Sequence, residues 1–120
     1  YATRTYRYDQ TARGSAMKAD GFVKVVIDLD GEILGCHIIG PEAADLIQEV
    51  AVAMKAGSGT VKDIRESIHI HPALSEVVQR AFSGQFSRGG HHTDLGGDSA
   101  CLSECQHGYL TRSVYLETSN

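Results

Sequence analysis

Hydrophobic and polar positions alternate along the first forty residues in the manner of strands. Thr3 to Asp9 is rich in β-forming Thr and Tyr, and residues 11–18 hold a short helical stretch around Ala12 and Met17. Residues 21–28 and 32–40 are dense in Val, Ile and Phe, and Asp28-Leu-Asp-Gly31 between them supplies the Asp and Gly of a tight reversal. A β-hairpin is predicted. Val23, Val25 and Ile27 alternate with Lys24 and Asp28 while Val26 breaks the pattern, so one face is buried and the other at least partly covered.

Past Gly40 the apolar period lengthens to three and four. Pro41 suits a first helical position, whose amide has no partner in any case, and Ala43, Leu46, Ile47, Val50, Ala53 and Met54 form one stripe of a helix running to about Ala56. Glu42 and Asp45 complement its positive end and Lys55 its negative end, and Gly57-Ser58-Gly59 closes it. A second helix is predicted from a cap near Thr60, carrying Val61, Ile64 and Ile68. A third follows Pro72 and carries Leu74, Val77, Val78, Ala81 and Phe82. Beyond Ser83 the chain turns Gly-, Ser- and His-rich, with one candidate strand at 109–116. The reading is therefore a folded unit over residues 1–83 and a tail over 84–120, disordered or loosely packed, natural or expression-derived.

Composition narrows the function classes. At 120 residues the chain holds one domain, and 42% apolar residues suffice for a core. Fifteen acidic against eleven basic side chains leave a net charge of −4, which offers no field for a phosphate backbone, so nucleic acid is not an expected partner. The apolar runs are far short of the roughly 20 residues of a bilayer span, and no basic-then-apolar leader opens the chain, so neither membrane insertion nor secretion is expected. Three cysteines, Cys36, Cys101 and Cys105, do not make an even disulfide framework, and a reducing cytoplasm is the simpler location.

Several chemistries lack their motif. There is no Gly-x-Gly-x-x-Gly turn and no phosphate-binding Gly-Lys-Ser/Thr loop, and Gly97-Asp-Ser99-Ala-Cys101 ends in Cys where a nucleophile elbow needs Gly. The segment that converges on chemistry is Ser67-Ile-His69-Ile-His71-Pro72-Ala-Leu-Ser75-Glu76. With Pro72 opening a helix, His71 lies just outside its first turn and Glu76 about one turn inside, within reach of one imidazole nitrogen. A carboxylate that holds one nitrogen fixes the tautomer and leaves the other free, as a general acid/base or a partner to a thiolate requires. The same residues also read as an ordinary helix start with a solvated acid, and spacing leaves both readings open. Cys36 and His37, within the second hairpin strand, read as packing residues. In the tail, His91, His92, Cys101, Cys105 and His107 are zinc-compatible side chains at a spacing that fits no common finger; they carry the alternative reading of a small metal-binding protein.

Gly21-Phe-Val-Lys-Val-Val-Ile-Asp28, Ile33-Leu-Gly-Cys-His-Ile-Ile-Gly-Pro-Glu-Ala-Ala-Asp-Leu-Ile-Gln-Glu49 and His69-Ile-His-Pro-Ala-Leu-Ser-Glu76, in this order, closely resemble the C-terminal dimerisation domain of dihydrolipoamide dehydrogenase-like pyridine nucleotide-disulfide oxidoreductases. The resemblance covers roughly residues 3–82. It implies an α+β fold, a two-layer arrangement of antiparallel sheet and helices, that forms the subunit interface of a homodimer. It also implies that His71 serves the redox cysteines of the other subunit while Glu76 orients it, a role that suits thiolate chemistry. The family's FAD- and NAD(P)-binding domains and its redox cysteine pair precede this domain and are not in the sequence. The chain therefore reads as part of a longer enzyme, binding neither cofactor by itself and not turning over alone. Cys101 and Cys105 lie after the interface domain at the wrong spacing, so the family's redox role is not carried onto them, nor do they supply the adjacent Cys-Cys ending of mercuric reductases.

Overall fold

The computed structural model describes residues 1–89 and the strand at Ser113–Glu117. β1 spans Ala2–Arg7, β2 Phe22–Ile27 and β3 Ile33–Ile39, followed by α2 at Ala43–Ala56, α3 at Val61–Arg65, α4 at Glu76–Phe82 and a two-residue β4 at Ser87–Arg88. Between β1 and β2 lie a 3-10 turn at Tyr8–Gln10 and the short α1 at Ala12–Ala16. The strand at Ser113–Glu117 is β5, and the sheet order is β4-β1-β2-β3-β5.

The predicted hairpin is β2–β3, antiparallel, with Val25 opposite Cys36 and Val23 opposite Ile38. Its reversal is set by Asp28, whose Oδ1 accepts from the amides of Asp30 (2.9 Å) and Glu32 (2.7 Å), and by Gly31 at φ 89°, a left-handed backbone that suits glycine. β1 and β4 extend the antiparallel sheet on one side, and β5 adds to β3 in parallel. β4 and β5 both belong to the stretch read as tail.

The core lies between sheet and helices. Val23, Val25, Ile33, Cys36 and Ile38 from the sheet are fully buried with Val50, Val77, Val78, Ala81 and Phe82 from the helices. The apolar stripe of α2 is the one its periodicity predicts, and α2 packs on β3 while α4 packs on β1 and β2. Gly40, at φ 142°, lets the chain leave β3 against the Tyr8 ring, where an added Cβ would meet ring carbons at 3.0 Å. Tyr8 in turn donates its hydroxyl to the Pro41 carbonyl at 2.9 Å, tying the end of β1 to the start of α2.

Three boundaries differ from the sequence reading. α2 begins at Ala43 rather than Pro41, behind Glu42 in a left-handed conformation. α3 ends at Arg65, so Ile68 is not on its apolar face and is 96% exposed. The third helix starts at Glu76, not at Pro72. The amides of Glu76, Val77 and Val78 bond to carbonyls three residues back, and the four-residue pattern begins only with Gln79 donating to Ser75, so 73–75 is wound more tightly than an α-helix.

Candidate functional site

The structure brings His71 and Glu76 together at the end of the loop that joins α3 to α4. The loop is anchored at its start by Asp63, whose carboxylate accepts from the Gly59 amide (2.8 Å) and the Ser58 hydroxyl while its carbonyl accepts from the Ser67 hydroxyl. At its far end Leu74 packs against the core, and Glu76 folds back over the 73–75 turn. Glu76 Oε2 accepts from the Ala73 amide at 3.2 Å, and both carboxylate oxygens lie 2.9–3.0 Å from His71 Nδ1. A carboxylate only accepts, so Nδ1 carries the proton and donates, and Nε2 is left with a free lone pair. Reach comes from the turn rather than from a helix opened by Pro72. The His71–Pro72 peptide is cis.

The exposure of the two partners is unequal. The His71 side chain is 69% exposed and that of Glu76 only 9%. Glu76 is shielded by its immediate neighbours, and the hydrogen bond from His71, then that from the Ala73 amide, hold its carboxyl below the ordinary value. A carboxylate kept ionised at this position can orient the ring and stabilise an imidazolium, so the arrangement is competent for proton transfer at an outward-facing nitrogen.

Behind this pair lies a second one, which sequence reasoning did not single out. His69 Nε2 donates to Glu49 Oε2 of α2 at 2.9 Å, and His69 Nδ1 lies 3.2 Å from the Ser67 carbonyl oxygen. Here the ring is the hidden member, 5% exposed against 30% for Glu49. Burial pushes the Glu49 carboxyl up, opposed by the hydrogen bond from His69. The sequence signal was Glu49 lying one residue before Val50 in the apolar stripe, but its partner is twenty residues away in a loop.

Cys36 is buried, and desolvation pushes its thiol up to about 12, so it remains a protonated packing residue. His37 is half-buried on β3, and burial, then Lys24, lowers its basicity. Neither lies in the His71 site. His91, His92, Cys101, Cys105 and His107 lie outside the described residues; among the described residues no group of three or more potential ligands comes together. No described helix is long and apolar enough to cross a membrane.

The described residues do not fit a dinucleotide. The start of α2 carries Pro41 and Glu42 instead of a glycine-rich run of amides, and the open cavity of about 330 Å³ between α2 and the 67–70 loop is lined by Asp45 and Glu49, which repel a pyrophosphate.

Comparison with known proteins agrees with this fold. Over 64 residues the chain is 50% identical to a dihydrolipoyl dehydrogenase of Haloferax volcanii, covering 52% of this chain and 13% of that protein. It is 42% identical over 78 residues to the dihydrolipoyl dehydrogenase of Corynebacterium glutamicum (62% and 16%), and 37% identical over 83 residues to the mitochondrial dihydrolipoyl dehydrogenase of Schizosaccharomyces pombe (68% and 16%). The chain thus spans between 13% and 16% of the length of these curated relatives. The model of the pyridine nucleotide-disulphide oxidoreductase dimerisation domain matches residues 1–82, and the chain belongs to that family.

Proposed function

We propose that this domain completes the active site of a flavin-dependent disulfide oxidoreductase resembling dihydrolipoyl dehydrogenase, by presenting His71 to the redox disulfide of a second subunit. The observation that carries the reading is the His71–Glu76 pair: one ring nitrogen is held at 2.9 Å by a shielded carboxylate and the other faces outward. Ile68 and Ile70, 96% and 70% exposed, stand beside it, and apolar side chains so displayed favour a covering partner over water. In a homodimer that partner is the second copy. FAD and NAD(P) belong to the upstream domains and carry the electrons onward; this domain holds neither.

The chemistry assigned to His71 is a proton transfer. Its Nε2 takes the proton from a thiol of a dithiol substrate, and the thiolate attacks one sulfur of the partner's disulfide. One S–S bond forms as the other breaks, and the departing sulfur leaves as a thiolate. The imidazolium returns its proton to the departing thiolate, and Nε2 then takes the proton of the second substrate thiol as that sulfur displaces the mixed disulfide; the substrate is oxidised to a disulfide, and the enzyme pair, reduced by two electrons, is left as one thiol and one thiolate beside the protonated ring. Glu76 stabilises the imidazolium each time it forms.

In the flavin-loaded enzyme that carries this domain, His71→Gln is expected to slow dithiol–disulfide exchange by roughly 10²–10⁴-fold, with flavin content and dimer formation retained. Rapid mixing with a dithiol reads the rate directly. An exchange rate equal to that of the parent removes His71 from the mechanism.

A further inference from the structure

We infer that Glu49 and His69 are positioning residues for the exchange reaction, a polar clamp that fixes the loop carrying His71 to helix α2. The inference rests on the reading of His71 given above and deepens it.

The loop from 66 to 75 has few apolar holds of its own. Ile68 and Ile70 point outward, and the inward side chain between them is not apolar but an imidazole, 5% exposed. His69 reaches α2 through Nε2 and Glu49 at 2.9 Å, and its other nitrogen lies 3.2 Å from the Ser67 carbonyl. Ser67 is itself tied back to α3 through its hydroxyl and the Asp63 carbonyl. His71 follows two residues later, and its only described side-chain hold is Glu76 on the next helix. The ring is therefore set from both sides: Glu76 on α4 fixes its angle, and the His69–Glu49 bond on α2 fixes the backbone from which it projects. Releasing His69 frees the segment before Pro72, and a displacement of about 1 Å at a reacting nitrogen is enough to cost on the order of 10²-fold in rate.

The nature of the clamp specifies the substitutions. Glu49 lies on α2, whose fold depends on the buried stripe of Leu46, Ile47, Val50 and Ala53, so Glu49→Ala removes the acceptor and leaves the helix intact. Glu49→Gln keeps an oxygen to accept from His69 Nε2, and His69→Gln places an amide donor where Nε2–H stood.

The test uses the flavin-loaded enzyme and single-turnover exchange with a dithiol. Glu49→Ala is expected to lower the exchange rate constant about tenfold with little change in apparent dithiol affinity, and Glu49→Gln to restore most of it. His69→Ala is expected to match Glu49→Ala, and His69→Gln to recover part of the loss. A general loss of structure would further lower the residual rate of a His71→Gln enzyme. A clamp acting through His71 would not, so Glu49→Ala combined with His71→Gln is expected to be no slower than His71→Gln alone. Parent-like rates for Glu49→Ala and His69→Ala, with His71→Gln still slow, overturn the clamp and leave the role of His71 standing. Additive losses in the double variant overturn it as well. A parent-like rate for His71→Gln removes both readings together.

Discussion

The two imidazole–carboxylate pairs of the α3–α4 region use the same hydrogen bond in opposite orientations. In one, the carboxylate of Glu76 is shielded and the ring of His71 stands in solvent; in the other, the ring of His69 is buried and Glu49 is the more exposed member. The difference follows from where each acid sits. Glu76 folds over its own turn, where the Ala73 amide and the ring satisfy both oxygens and keep it ionised. Glu49 lies on the flank of a packed helix, where desolvation favours its neutral form. The same chemical pair thus suits acid–base work when the ring is outside, and fastening when the ring is inside.

Both pairs stand on one platform, and damage to it is expected to have the largest effect. Phe82, fully buried at the end of α4, holds the helix that carries Glu76. Phe82→Ala is expected to cost about 3–5 kcal/mol of stability, read as a lower denaturation midpoint of the chain, and to disturb both pairs through the shared core. Glu76→Gln separates the pairs and is smaller: the amide still accepts from His71 Nδ1 but carries no charge to stabilise an imidazolium. Exchange in the flavin-loaded enzyme is expected to slow roughly tenfold, with a fall in denaturation midpoint much smaller than that of Phe82→Ala. A parent-like rate would mean that the pair only positions the ring.

What the sequence disclosed divides along the same line. The hairpin, the stripe of α2 and the pairing of His71 with Glu76 were legible because each is local: an alternation, a three–four period, a five-residue spacing. The start of α4 was not, because Pro72 is a familiar helix opener and nothing in the letters shows that 73–75 winds into tighter turns that Glu76 stitches together. Periodicity alone places Ile68 on a buried helix face, whereas α3 stops after one turn and the residue projects into solvent. The Glu49–His69 pair was hidden for another reason. It joins a helix to a loop across twenty residues, and only the packing of α2 on β3 decides which acid faces which histidine.

The opposite shifts of the two acids predict opposite responses to pH, the smallest of the expected effects. Glu76 has its pKa lowered from 4.5 in the folded chain, so its contribution to stability is present above 4.5 and is lost as pH falls through the folded value. Glu49 has its pKa raised from 4.5; its ionisation opposes folding, so the stability linked to its neutral form is present below 4.5 and is lost as pH rises through the folded value. Replacing each acid by glutamine removes its own linkage. Glu76→Gln is therefore expected to be less stable than the parent near neutrality and to converge with it on acidification. Glu49→Gln is expected to gain on the parent as pH rises above 4.5, because its amide cannot ionise in the desolvated site yet still accepts from His69. Thermal melting of the three chains between about pH 3 and pH 7 reads both differences. Curves that separate from the parent in the same direction would show that the two carboxylates share one environment, and the division between an outward working pair and an inward fastening pair would not stand.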